Sequence, residues 1–147
     1  MSWRIELLDK GNSSLLENLD DDVFDEAIDP AQLAAFVADP RHILAMAIIN
    51  EEVVGMASGV ECFHPDKQPQ LFINEVGVSG AYQRQGIGRA LVQRLLEEAK
   101  RRGCESAWLG TEDDNIAARA CYKAVPGGKE PESFVLYEWE LPDGSSD

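Results

Sequence analysis

The stretch that most constrains this chain is Gln83-Arg84-Gln85-Gly86-Ile87-Gly88-Arg89, set between an apolar run and the most regular amphipathic segment of the sequence. Downstream of it, Ile87, Leu91, Leu95 and Ala99 recur every four residues, and Val92 and Leu96 widen the stripe. Gly103 stands where a C-terminal cap belongs, so the spacing predicts a helix over 86–102. Upstream, Leu71 to Val78 reads as a strand. A helix entered in this way leaves the backbone N–H groups of its first turn without intrahelical acceptors, and its dipole places positive charge behind them. Such a terminus favours a phosphate group. Glycines at 86 and 88 let the backbone approach the ligand, and Arg84 and Arg89 add charge. Two familiar phosphate loops are excluded, because the sequence has neither GxxxxGK[ST] nor GxGxxG. The rival for two glycines alone is an ordinary tight entry into a helix.

The rest of the chain frames this loop. Trp3, Ile5 and Leu7 alternate with Arg4 and Glu6 and predict a first strand. Ser13 or Ser14 could cap a short helix through Leu15, Leu16 and Leu19. Asp29 before Pro30 is an N-cap with proline at the first helical position, and Leu33, Phe36 and Val37 give that helix its apolar face. Asp39-Pro40 stops it. His42 to Ile49 and Val53 to His64 read as strands joined through Asn50-Glu51-Glu52. After the long helix come a short buried strand, 106–109, a helix over 115–125 and a terminal strand, 134–141. Residues 142–147 should fray. The order β-α-α-β-β-β-α-β-α-β predicts an α/β or α+β layer, a central mixed sheet flanked by helices. With 147 residues and no linker or repeat, the expected organisation is one domain over 1–147.

Charge and cysteine content narrow the function classes. A net charge of −14 repels nucleic acid and anionic lipid and attracts cationic ligands. Seven carboxylates crowd the N-terminal segment, Glu17, Asp20, Asp21, Asp22, Asp25, Glu26 and Asp29. Arg84, Arg89, Arg94, Lys100, Arg101 and Arg102 form a basic counterpart beginning at the glycine loop. Three cysteines without metal-ligand spacing argue against a disulfide framework and a zinc site, and fit a reducing cytoplasm. No apolar run reaches the roughly 18–20 residues of a membrane span, and no secretory signal opens the chain.

Gln-x-x-Gly-x-Gly after an apolar strand resembles the acetyl-CoA pyrophosphate loop of the GNAT superfamily. Asn115-x-x-Ala118-x-x-x-Tyr122 resembles that family's second signature, and with the element order the resemblance covers roughly 43–141. It implies acetyl-CoA as co-substrate, with no metal. Gln83, Arg84, Gln85, Gly86, Ile87, Gly88 and Arg89 would hold the pyrophosphate, and Asn115 and Tyr122 would complete the cofactor site. It further implies a V-shaped opening between the strands at 71–78 and 106–109, with pantetheine on backbone groups of Val76, Gly77 and Val78. The sequence departs from the family after Tyr122, where Lys-Ala-Val-Pro126 replaces the usual approach to Gly-Phe, a change that bears on the acceptor wall.

Acetyl transfer to an amine needs a neutral amine, donors for the oxyanion and a proton for the leaving thiolate. The resemblance assigns Tyr122 the proton donor's part; its bland alternative is a packed core tyrosine. Val76 or Gly77 would give the oxyanion an amide. Glu75, mid-strand among apolar neighbours, is the leading base or amine anchor, because an unpaired carboxylate there is costly. Asp113 is a second base candidate, and Glu112, Asp113 and Asp114 should lie at the cleft mouth or cap the next helix. His64 is a weaker base candidate beside Pro65. Cys121 lacks an activating partner and reads as packing.

For the acceptor, Ile73-Asn74-Glu75-Val76-Gly77-Val78-Ser79-Gly80 and Val23-Phe24-Asp25-Glu26-Ala27 resemble the aminoglycoside 3-N-acetyltransferase branch. That resemblance implies acetylation of the 3-amino group of an aminoglycoside, and with it antibiotic resistance. A polycationic substrate suits a pocket built from Asp25, Glu26, Glu75, Glu112, Asp113 and Asp114. The alternatives are another small amine, a polyamine or a protein N-terminus, or a non-catalytic acetyl-CoA-binding module. No nucleic-acid or membrane partner is expected, and strand edges or the C-terminal strand could build a homodimer.

Overall fold

A computed structural model describes residues 2–142. Its centre is a five-stranded mixed sheet in the order β1-β2-β3-β4-β5. The strands are β1 (Arg4–Leu7), β2 (His42–Ile49), β3 (Glu52–Cys62), β4 (Gln70–Val78) and β5 (Ser106–Trp108). Neighbouring strands β1 to β4 are antiparallel, and β4 and β5 are parallel. The expected sheet flanked by helices is therefore the observed architecture. Asn50 and Glu51 both take positive φ, 50° and 63°, the paired left-handed conformation that lets a two-residue turn follow the twist of a hairpin.

Two layers cover the sheet. On one face lies α2 (Ile87–Arg101), whose Ile87, Leu91, Val92, Leu95 and Ala99 are buried against Ala45, Ala47, Val54, Ala57, Leu71 and Ile73. Leu91 and Leu95 are fully buried, and truncating either to alanine removes about 2–5 kcal/mol from such a core. α3 (Ile116–Lys123) lies on this side, and its Tyr122 packs against the same cluster. On the other face, α1 (Pro30–Ala38) and a short 3₁₀ turn (Ser13–Glu17) pack Leu16, Leu33 and Phe36 over Leu44, Met46, Ile48, Val53 and Met56. The Asp29 carboxylate caps α1 as expected, accepting from Ala31 N–H at 2.8 Å and Gln32 N–H at 3.1 Å.

Three expectations are corrected. The segment at 106–109 is not buried: β5 has three residues, and Trp108 is half-exposed at the sheet's edge. The terminal strand expected at 134–141 does not form. That segment is irregular, and Phe134, Val135, Leu136, Tyr137, Trp139 and Leu141 are 65–85% exposed. Alternation indicates which face a strand could bury, but a strand also needs an edge to pair with, and none takes this segment up. The short N-terminal helix is a 3₁₀ turn entered from Asn12, with no side-chain cap from Ser13 or Ser14. Of the tail expected to fray, only Pro142 is among the described residues.

Candidate active site

The site begins where two strands part. β4 and β5 pair only through Gln70, Leu71 and Phe72 with Ser106, Ala107 and Trp108. Beyond Phe72, β4 runs six residues further, to Val78, with no strand on that side. The far half of β4 thus has a free edge, at the place where the resemblance implies a V-shaped opening. Along this stretch β3 and β4 slip register between Ser58 and Gly59, so that Ser58 opposes Glu75 while Gly59 opposes Ile73. The extra residue, Asn74, makes a bulge that turns both Asn74 and Glu75 outward, and both are exposed. The argument from burial for Glu75 therefore fails: its carboxylate stands in solvent, on the α1 face of the sheet with its cross-strand partner Ser58.

The glycine loop lies at the far end of β4. A 3₁₀ turn over Gly80–Tyr82 follows Val78, and the Gln83 amide donates back to the Val78 carbonyl at 3.2 Å. Arg84 and Gly86 both adopt left-handed backbone, φ 65° and 84°. For arginine that conformation carries strain, and strain held in a loop beside an open cleft is a reason to look for a ligand there. Gly86 is the N-cap of α2 and no side chain caps the helix. The first helical bond is Ala90 N–H to Gly86 C=O at 3.0 Å, which leaves the amides of Ile87, Gly88 and Arg89 without acceptors among the described residues. Space in front of Gly86 is open to 4 Å around a built Cβ. Free amides, the positive end of a four-turn helix and two arginines outside any ion pair of the described residues fit a pyrophosphate. Gly88 has a different reason: a Cβ there would sit 3.1 Å from the Cys121 sulfur, so this glycine lets α2 and α3 meet.

The basic patch is narrower than its sequence suggests. Arg101 and Arg102 converge on Glu98, at 2.6 Å and 2.9 Å, and Arg94 stands 3.9 Å from it. Arg102 also reaches Glu61 at 3.0 Å and donates to the Pro40 carbonyl. Glu98 is 3% exposed, and hydrogen bonds from Arg101 first, then Arg102, hold its carboxyl down at about 2. The pairs with Arg94, Arg101 and Arg102 are local, three or four residues along one helix; the burial of the carboxylate depends on α2 settling over β3. Arg84 and Arg89 are what remains of the patch at the loop.

The acidic N-terminal segment comes to the same end of the sheet. Asp20 N–H donates to Val53 C=O at 2.9 Å, and the Ser79 hydroxyl donates to the Asp20 carboxylate at 2.7 Å. Val23 is buried under the segment, and its carbonyl lies 2.6 Å from where a Cβ on Gly77 would be. Only glycine admits the segment so closely to β4. Asp25 and Glu26 are exposed beyond this anchor.

The remaining candidates divide. Tyr122 is half-buried on the α2 side, where burial, and then Cys121, push its phenol above the ordinary value of 10. Burial also raises the Cys121 thiol, in keeping with a packing role. Asn115 caps α3, accepting from Ala118 N–H at 3.0 Å, so its side chain is already employed. Glu112, Asp113 and Asp114 are exposed in the turn between β5 and α3, and Asp113 pairs with Arg119 at 3.0 Å. His64 lies in the loop after β3 with its Nε2 buried and unpartnered among the described residues. The sequence missed a small cleft of about 120 Å³ on the α1 face, lined by Phe36, His42, Ser58, Val60, Phe72 and Asn74. A larger one, about 260 Å³, runs along the outer side of α2 to Pro126, away from this constellation. Among the described residues there is no group of side chains that could hold a metal, and no helix is long and apolar enough to cross a membrane.

Residues 7–125 match the acetyltransferase (GNAT) family. The ribosomal protein bS18-alanine N-acetyltransferase of Escherichia coli K12 is 42% identical over 50 residues, 34% of either chain, so the match spans about a third of that relative's length. An aminoglycoside acetyltransferase from an uncultured soil metagenomic sample, solved with sisomicin, superposes with a TM-score of 0.80. It is 17% identical, and the superposition covers 95% of this chain and 97% of that one. The aminoglycoside acetyltransferase AAC(6')-Iy, solved with a CoA-linked bisubstrate analogue, gives 0.77 at 17% identity, over 96% and 100% of the two chains. At such identities the structural likeness is one of fold.

Proposed function

The chain belongs to the GNAT acetyltransferase family, and from that premise we propose that it transfers acetyl from acetyl-CoA to an amine of an aminoglycoside, at the 3-amino group. The observation that carries the reading is the meeting of three features at one end of the sheet. They are the uncapped amides of α2, the gap beside β4 beyond Phe72, and an acidic segment held against Gly77 and Ser79. The first suits the phosphates of acetyl-CoA and the second a pantetheine arm. The third gives a polycationic acceptor its charge complement.

Bound acetyl-CoA supplies an acetyl thioester. The residues around the gap divide between the two faces of the sheet. Glu75 belongs to the α1 face, where the acidic segment lies, and we assign it the proton leaving the acceptor ammonium. It is preferred to Asp113, which is exposed as well but whose carboxylate is engaged by Arg119. The second proton, lost from nitrogen after attack, passes to solvent, which also restores the proton that Tyr122 gives to the sulfur. Tyr122 belongs to the α2 face, the side of the glycine loop. A phenol held above 10 by burial keeps its proton at neutral pH and can donate it to the leaving sulfur. An amide of the free edge at Val76 or Gly77 suits the oxyanion. Base and acid thus belong to opposite faces of the sheet, an arrangement compatible with direct transfer without a covalent enzyme intermediate.

The second reading is acetylation of a protein N-terminus, favoured by the 42% identity to an alanine N-acetyltransferase over 50 residues. Thiol release from acetyl-CoA, measured with gentamicin-type aminoglycosides, polyamines and alanine-terminated peptides, separates the two. Turnover of the aminoglycosides with the product acetylated at the 3-amino group supports the proposal. Turnover of peptides alone replaces it with the second reading. No turnover by a protein that binds acetyl-CoA removes the enzymatic reading altogether.

A further inference from the structure

The geometry points to the cleft on the α1 face as a ring-binding subsite: we infer that it seats one ring of the acceptor, and so selects cyclic polyamines over linear polyamines and extended peptides. The inference rests on the acetyltransferase reading above and names the acceptor class for the same site.

Position comes first. The cleft spans β2, β3 and β4 at the register slip between Ser58 and Gly59. Asn74, the bulged residue, lines it, and Glu75 follows on the same strand. It therefore adjoins the proposed proton acceptor, on the face of the sheet where the acidic segment lies. Its volume, about 120 Å³, is the second point. A cavity of roughly 150 Å³ encloses benzene, so this smaller, open cleft can seat one face of a single six-membered ring and not a whole oligosaccharide.

Chemistry decides the class. The walls are the side chains of Phe36, His42 and Phe72, with Ser58 and Asn74 adding a hydroxyl and an amide. Phe36 and His42 sit with ring centroids 5.3 Å apart and planes inclined by 57°. Phe72 is backed by Trp108 at 4.4 Å, which stiffens it as a wall. The Asp39 carboxylate lies 3.4 Å from His42 Nδ1 and orients that ring. Aromatic faces attract the C–H face of a saturated ring and, by cation–π attraction, an ammonium attached to it. A linear polyamine has no such face, and an extended peptide draws its affinity from a strand edge instead.

Calorimetry on the full chain saturated with CoA tests this without requiring turnover, using 2-deoxystreptamine as the cyclic probe and spermidine as the linear one. The native protein should bind 2-deoxystreptamine the more tightly. Phe36→Ala should weaken it about tenfold or more, the loss typical of a buried aromatic anchor, while leaving spermidine and CoA affinity unchanged. Asn74→Ala, at an exposed position with little risk to folding, should weaken the cyclic probe in the same selective way. Equal affinity for the two probes, or equal losses in both variants, would overturn the subsite. Selective ring binding in a protein that releases no thiol with aminoglycosides would retain the subsite while rejecting the proposed reaction.

Discussion

At the scale of single residues, the proposed division of labour between Tyr122 and Glu75 makes separable predictions. Tyr122→Phe should lower kcat about a hundredfold, within the range for loss of a general acid, and leave the acetyl-CoA KM unchanged. Since burial holds the phenol above its ordinary value, native turnover should persist through pH 9 and fail only above about 10. An unchanged kcat in the variant would assign Tyr122 to packing. Glu98 makes a prediction of another kind. Its carboxyl titrates at about 2 in the folded chain, below the ordinary 4.5, so its stabilisation is present above about pH 5 and disappears as pH falls through 2. Glu98→Gln should lose about 2 kcal/mol at pH 7, less than a fully enclosed pair because Arg101 reaches solvent. The difference in melting temperature between variant and native protein should shrink towards pH 2; a gap independent of pH would show that packing dominates.

Elements differ in how much of themselves they disclose locally. α1 was legible in Asp29-Pro30, and α2 in a four-residue recurrence ended by Gly103, because caps and stripes are local properties. The glycine loop was legible too, though one of its two glycines carried a second meaning. Gly88 faces Cys121, so Gly88→Ala should crowd the Cys121 sulfur and destabilise the fold by about 1 kcal/mol, as mild overpacking does. Adding Cys121→Ala should recover most of that loss in a double-mutant cycle, whereas additive losses would deny the contact. Features that require two distant segments were not legible. The bulge at Asn74 depends on how β3 registers against β4, and the exposure of Glu75 follows from it. The edge that leaves 134–141 unpaired and the burial of Glu98 arise only once the sheet is assembled.

Across the whole molecule, a net charge of −14 is distributed rather than uniform. Arg84 and Arg89 stand by the loop proposed for phosphate, while the segment through Asp25 and Glu26 stands by β4. Association of a polycationic acceptor should therefore weaken steadily as salt rises from 0.05 to 0.5 M, through screening of a field that acts over about 10 Å at 0.1 M. The affinity of a neutral analogue should stay level. Salt-insensitive binding of the cationic acceptor would remove the acidic segment from recognition.

The central claim is that a polycationic ring amine, rather than a linear amine or a peptide, receives the acetyl group. The most direct measurement is kcat/KM from thiol release at low salt, for a gentamicin-type aminoglycoside, spermidine and an alanine-terminated peptide in one assay. A preference for the aminoglycoside of about a hundredfold or more is predicted, equivalent to nearly 3 kcal/mol of differential transition-state binding. Equal values, or a preference for the peptide or spermidine, would contradict it.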